Sequence, residues 1–168
     1  MRRTSLTRLV VLAGTGIALI LLPSILHPVP ALVWNAPPSV PVGLYRVVSG
    51  VPRRGDFALV RTPESVATLA AQRGYLPIGV PLVKRIAAIQ GDYVCAHEKS
   101  VSVNGETIAQ QRERDSAERP LPHWSECRTL RPGEVFLLAG SPASFDSRYF
   151  GPVQSTALIG RLVPLWTK

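Results

Sequence analysis

The sequence predicts a mainly β domain with one short helix, carried behind a single N-terminal transmembrane helix. Three observations lead there. Residues 9–26 form an apolar run without a charge. Sixteen prolines and thirteen glycines punctuate a chain of only 168 residues, which favours short strands joined by turns over a helical bundle. The apolar blocks that remain are short and bounded by turn residues. Hydrophobic residues make up 46%, too many for a disordered chain, and the length suits one domain.

The apolar run LVVLAGTGIALILLPSIL is 18 residues long. A bilayer core of about 30 Å needs roughly 17–25 apolar residues as helix, and a helix satisfies its own backbone groups there. Arg2, Arg3 and Arg8 precede the run, and the next charge is Arg46. The positive-inside rule then sets residues 1–8 in the cytoplasm, 9–26 as a single-pass anchor in the cytoplasmic membrane, and 27–168 in the periplasm. A cleaved signal peptide has a shorter apolar region and an A-x-A-like site; HPVPALVWNAPPS offers none. Taking the three N-terminal arginines off the net charge of +8 leaves +5 on the exported part. Without a polybasic run, nucleic acid is not an expected partner; the lipid bilayer is.

Beyond the anchor, residues 27–38 read as a proline-rich extended entry. GLYRVV (43–48) and DFALVR (56–61) read as strands across a Ser-Gly-Val-Pro turn. Thr62, Pro63 and Glu64 start a helix as N-cap, first-turn proline and first-turn acid, and it stops at Gly74. PLVKRIAAIQ (81–90) is an apolar strand, turned at Gly91-Asp92 into 93–96. SVSVNGETI (100–108) is a hairpin, with Asn104-Gly105 fitting a type I′ turn. Residues 109–133 look irregular, and 134–139 and 157–164 supply closing strands. The whole reads as a closed or coiled β domain.

Chemistry concentrates on Lys84 and Ser39. A lysine inside PLVKRIAAI has no local acid to pair with. Burial disfavours its charged form, and a neutral amine is a general base. Strand alternation sends Lys84 and Arg85 to opposite faces, so one can be inside while the other is solvated. An edge position, or a distant aspartate partner, would account for the same pattern. Ser39 sits in NAPPSVPVGLY, where flanking prolines stiffen the backbone and withhold ladder donors, so the hydroxyl is presented. A plain proline-rich linker reads the same way.

Together, NAPPSVPVGLY, PLVKRIAAIQGD and GSPASFDSRYFG resemble, in order, three catalytic boxes of the type I signal peptidase superfamily, serine peptidase family S26. The likeness is strongest to its conjugative-transfer, TraF-type branch, which RGYLPIGVPLVKRIAA also fits, and runs from about Trp34 to the C-terminus. It implies a signal-peptidase-like coiled β domain, no cofactor, Ser39 as nucleophile and Lys84 as general base. It further implies Ser144 orienting the lysine, and Asp146 with Arg148 as an ion pair beside the site. The aspartate is itself functional in that branch. The substrate implied is a membrane-anchored pilin or other exported precursor, matured and in some cases cyclised head to tail. Pro37 stands where signal peptidases carry an oxyanion-binding serine, Val40 and Pro41 replace the usual methionine, and Ser141 replaces an acid. These departures favour the conjugative branch over a general leader peptidase.

Cys95 and Cys127 are the only cysteines. In an oxidising compartment an even count points to a disulfide. Free thiols, or a zinc site with His97 and His123, are the alternatives. Trp34 suits an interfacial position, and Trp124 and Trp166 suit packing. Ser39 lies 13 residues past Leu26, at most about 45 Å extended, so its substrates should present themselves near the membrane. A cytoplasmic Ser-Lys autoprotease is disfavoured by the anchor and by the lack of a helix-turn-helix pattern. A non-catalytic envelope scaffold leaves Ser39 and Lys84 without a purpose.

Overall fold

The computed structural model describes residues 2–26 and 29–168, with side chains for 7–22 and 29–168. It divides into two units, 1–30 and 31–168. The first holds helix α1 (Arg2–Leu26). Its described apolar side chains, from Leu9 to Leu22, are largely exposed. Among the described residues no helix is long and apolar enough to cross a membrane. The expected anchor runs on through 23–26, whose side chains lie outside the described residues.

The second unit is mainly β. Its strands are β1 (Leu32–Asn35), β2 (Gly43–Val48), β3 (Phe57–Val60), β4 (Leu82–Ile89), β5 (Tyr93–His97), β6 (Ser100–Val103), β7 (Glu106–Gln110), β8 (Cys127–Thr129), β9 (Glu134–Leu138), β10 (Val153–Gln154) and β11 (Leu158–Thr167). A seven-stranded sheet runs β1-β2-β11-β3-β4-β9-β10, and a four-stranded sheet runs β7-β6-β5-β8. Every pairing is antiparallel. Apolar side chains from both sheets meet around Phe136, Val94 and Val101, all fully buried. A second cluster, around Ile86 and Leu137, backs the centre of the large sheet.

Local chemistry explains the turns. Asn104 and Gly105 both have positive φ (52° and 87°), the type I′ geometry that Asn-Gly favours. Helix α2 (Glu64–Gln72) ends where Gly74 adopts φ +69° and the Tyr75 N–H closes onto the Ala70 carbonyl. Its start departs from expectation. Pro63, with ψ 134°, is itself the N-cap and the helix begins at Glu64. Thr62, held extended by the following proline, turns its hydroxyl to the Val80 carbonyl instead.

Other elements were illegible locally. The 27–38 entry contains β1, which pairs with β2 from Leu32 opposite Arg46 to Asn35 opposite Gly43. The 109–133 stretch contains β8, set by its pairing with β5. Strand β11 runs past 164, and its register with β2 shifts after Pro164, whose missing N–H interrupts the ladder. Helix α3 (Ser147–Phe150) is a single turn capped by Asp146, which accepts from the Arg148 N–H. Trp166, expected to pack inside, is half exposed and stacks on Trp34 with ring centroids 5.7 Å apart.

Candidate active site

Lys84 sits mid-strand in β4, where buried and open positions alternate. Leu82, Lys84 and Ile86 face inward while Arg85 is exposed, as period-two alternation requires. Lys84 retains only 5% exposure. Burial pushes its pKa down to about 8; the neighbouring Asp146 carboxylate pulls it back up and the Arg148 guanidinium pushes it down further. Its ammonium donates to Ser144 Oγ at 2.5 Å. That hydroxyl fixes where the nitrogen points.

Asp146 and Arg148 form a buried fork. Arg148 Nε and Nη2 donate to the two Asp146 oxygens at 2.7 and 3.0 Å, and Nη2 also reaches the Ala139 carbonyl at 2.9 Å. Asp146 in turn accepts the Ala139 N–H at 3.0 Å. The carboxylate and guanidinium therefore clamp the end of β9 to the loop that carries Ser144. Ser147, for which sequence suggested no role, is fully buried and accepts the Leu137 N–H at 3.0 Å.

Ser39 lies in the turn between β1 and β2, half-buried. Neither its hydroxyl nor its backbone N–H has a hydrogen-bond partner among the described residues. Its carbonyl accepts from Gly140, which ties the turn to the loop after β9. Ser39, Lys84 and Ser144 all line one cavity of about 500 Å³. Leu59, Leu82 and Phe145 make part of it apolar.

Sequence reasoning missed the residue that holds this turn. Asn35, the last residue of β1, is 4% exposed. Its Nδ2 donates to the carbonyls of Pro37 (2.9 Å), Val40 (3.0 Å) and Pro41 (3.2 Å). Tyr45 Oη adds a bond to the Pro41 carbonyl at 2.6 Å. Pro37, Pro38 and Pro41 have no N–H, so the turn cannot close on its own backbone donors. A side-chain amide does it instead. The available signal was an asparagine at the edge of a donor-poor, proline-rich run.

The segment after β7 walls the same cavity. Asp115 accepts from the Tyr75 hydroxyl, from Arg119 Nε at 2.7 Å, and from the Ala117 and Arg119 N–H groups at 2.9 Å each. Gln111 Nε2 donates to the Arg148 and Trp124 carbonyls, at 2.5 and 2.7 Å. The Trp124 ring lies against Gly151, where a Cβ would stand 2.7 Å from the indole nitrogen. Cys95 and Cys127, opposed across β5 and β8, are joined as a disulfide. The thiolates that a zinc site needs are therefore absent, and no three-residue metal group occurs among the described residues.

The family model described as signal peptidase, peptidase S26, matches residues 3–166, nearly the whole chain. The chain belongs to that family. A plasmid transfer protein TraF from Escherichia coli is 34% identical over 144 residues, covering 79% of this chain and 81% of that one. A conjugal transfer protein TraF from Agrobacterium fabrum (strain C58) is 32% identical over 146 residues, with the same coverage. A solved signal peptidase I from Enterococcus faecalis V583 is 22% identical with a TM-score of 0.43, covering 69% of this chain and all of that one. This S26 member is of the TraF type and is a serine-type peptidase.

Proposed function

We propose that the protein is a membrane-anchored endopeptidase with a Ser39–Lys84 dyad, which matures a pilin precursor for conjugative transfer. The observation that carries this reading is a buried lysine with its pKa near 8, facing the same cavity as an accessible serine whose hydroxyl is unengaged. In the neutral form Lys84 Nζ takes the Ser39 proton as Oγ attacks the scissile carbonyl. In this reading the Ser39 N–H, which has no partner among the described residues, receives the oxyanion, a role Pro37 cannot share. Collapse breaks the C–N bond, Lys84 returns the proton to the leaving amine, and an ester remains on Ser39. Water then yields a linear product; the substrate's own N-terminal amine, if held close, yields a ring. Ser144 orients the base, and Asp146 and Arg148 hold the loop that bears it.

Membrane placement rests on α1, which carries an uncharged, mostly apolar run from Leu9 onward. It rests also on the stacked, half-exposed Trp34–Trp166 pair beside exposed Leu32 and Leu165, a composition suited to the bilayer interface. Three arginines before the apolar run favour a cytoplasmic N-terminus and a periplasmic catalytic unit.

The experiment is to co-express the full chain with a pilin precursor and follow the product by mass. We expect conversion by the wild type and none by Ser39→Ala or Lys84→Ala. A product lighter by one water than the linear form identifies cyclisation. Conversion of unrelated leader-bearing precursors, with the pilin untouched, would instead make it a general leader peptidase. Processing that continues in Ser39→Ala would leave it a scaffold beside another enzyme.

A further inference from the structure

Ser39 is the one residue shared by two cavities. Besides the cavity holding Lys84, a second of about 770 Å³ opens on the other side of its turn. Arg54, Arg85 and Lys168 line this second cavity, and no aspartate or glutamate does. Arg54 has a carboxylate partner, Asp92, outside the lining. Arg85 has none among the described residues; its guanidinium lies 5.0 Å over the Phe57 ring, which leaves its N–H fork free. The Lys168 ammonium is likewise 5.6 Å over the Trp166 ring. Phe57, Ile86 and Leu138 supply apolar wall between the charges.

This arrangement follows from β4. Its alternation buries Lys84 in one cavity and turns the adjacent Arg85 into the other. A polypeptide whose scissile carbonyl reaches Ser39 must leave that point in two directions. One flank enters the Lys84 cavity, with its apolar wall, and the other the cationic cavity.

We infer that the second cavity is a substrate subsite for an acidic peptide flank, with Arg85 as its specificity-determining residue. The inference rests on the peptidase reading above. It assigns charge selection to the strand that also supplies the base, on the opposite face. Arg85 suits the task because its planar fork matches a carboxylate bidentately, which a lysine cannot do.

The test uses the full-length enzyme in detergent and peptides with a fixed apolar flank. The opposite flank carries Glu, Gln or Lys at each of its first four positions. We expect kcat/KM for the best Glu peptide to exceed that of its Lys counterpart by about tenfold or more at low salt. The gap should narrow at high salt. Arg85→Gln should erase the preference, and Arg85→Glu should reverse it, with an apolar control peptide cleaved as by wild type. Arg85 is exposed, so neither change should disturb folding. Binding of the same peptides to Ser39→Ala reads the subsite without any cleavage. Equal binding and equal cleavage of Glu and Lys peptides would overturn the inference while leaving the peptidase intact. Charge-selective binding without cleavage by wild type would support the subsite and sink the peptidase reading. If anionic phosphatidylglycerol vesicles, and not Glu peptides, lose binding on Arg85→Glu, the cavity takes lipid headgroups and the inference fails.

Discussion

Lys84 carries two opposite consequences of one burial. Below pH 8 it is charged in folded and unfolded chains alike, and the full cost of burying the ammonium is present. Between about 8, its folded pKa, and the ordinary lysine value of 10.5, the unfolded chain binds more protons, so stability rises with pH. The total is about 3 kcal/mol, recovered by pH 10.5. Lys84→Met should therefore raise the urea midpoint at pH 7, with the advantage fading by pH 10.5; an unchanged midpoint would mean that the lysine is not strained by burial. Activity has the matching sign, since the neutral amine is the working form. It should climb through pH 8 in wild type. Ser144→Ala should lower kcat by a larger factor than it raises KM, because the hydroxyl's side-chain partner is the base. That one member of the Lys84-Arg85 pair can lie inside was legible from period-two alternation; that Lys84 is the buried one comes from the fold. Asn35 was not, because its importance comes from three carbonyls that only the folded turn gathers.

Among the elements, the turn between β1 and β2 is held mostly by one side chain. Replacing Asn35 with alanine removes the donor to three carbonyls, at a cost of about 1–2 kcal/mol in placement of Ser39. We expect kcat to fall roughly ten- to thirtyfold, with KM nearly unchanged and a melting shift of only a few degrees. A large melting shift with normal kcat would make Asn35 a stability residue alone. The disulfide belongs to this scale as well. It closes a separation of 32 residues containing the segment that walls the cavity, so Cys95→Ser/Cys127→Ser should lose about 3–4 kcal/mol in denaturant titration. Strands with strong alternation and turn signals, such as β4 and the β6–β7 hairpin, were readable locally. Strands β1 and β8 were not, because each is short and fixed only by a partner strand. The Tyr75–Asp115 contact, which joins residues 40 apart, has no local signature either.

At the scale of the whole molecule, an apolar run in α1, a mainly β unit and two cavities meeting at one serine are the features on which the proposal of a peptidase acting on membrane-held chains rests. The fold class was legible because proline, glycine and short apolar blocks constrain it. The proposed dyad comes from the order of three boxes; periodicity alone left Lys84 open to a structural role. The central claim is that Ser39 is acylated with Lys84 as its base. It is tested most directly by intact-mass and peptide-mapping measurement of the acyl-enzyme formed with a mechanism-based acylating probe, followed from pH 6 to 10. The account predicts an adduct on Ser39, forming faster as pH rises through about 8, and no adduct in Lys84→Arg, whose guanidinium keeps its proton. An adduct on Ser144, or equal acylation of wild type and Lys84→Arg, would contradict it.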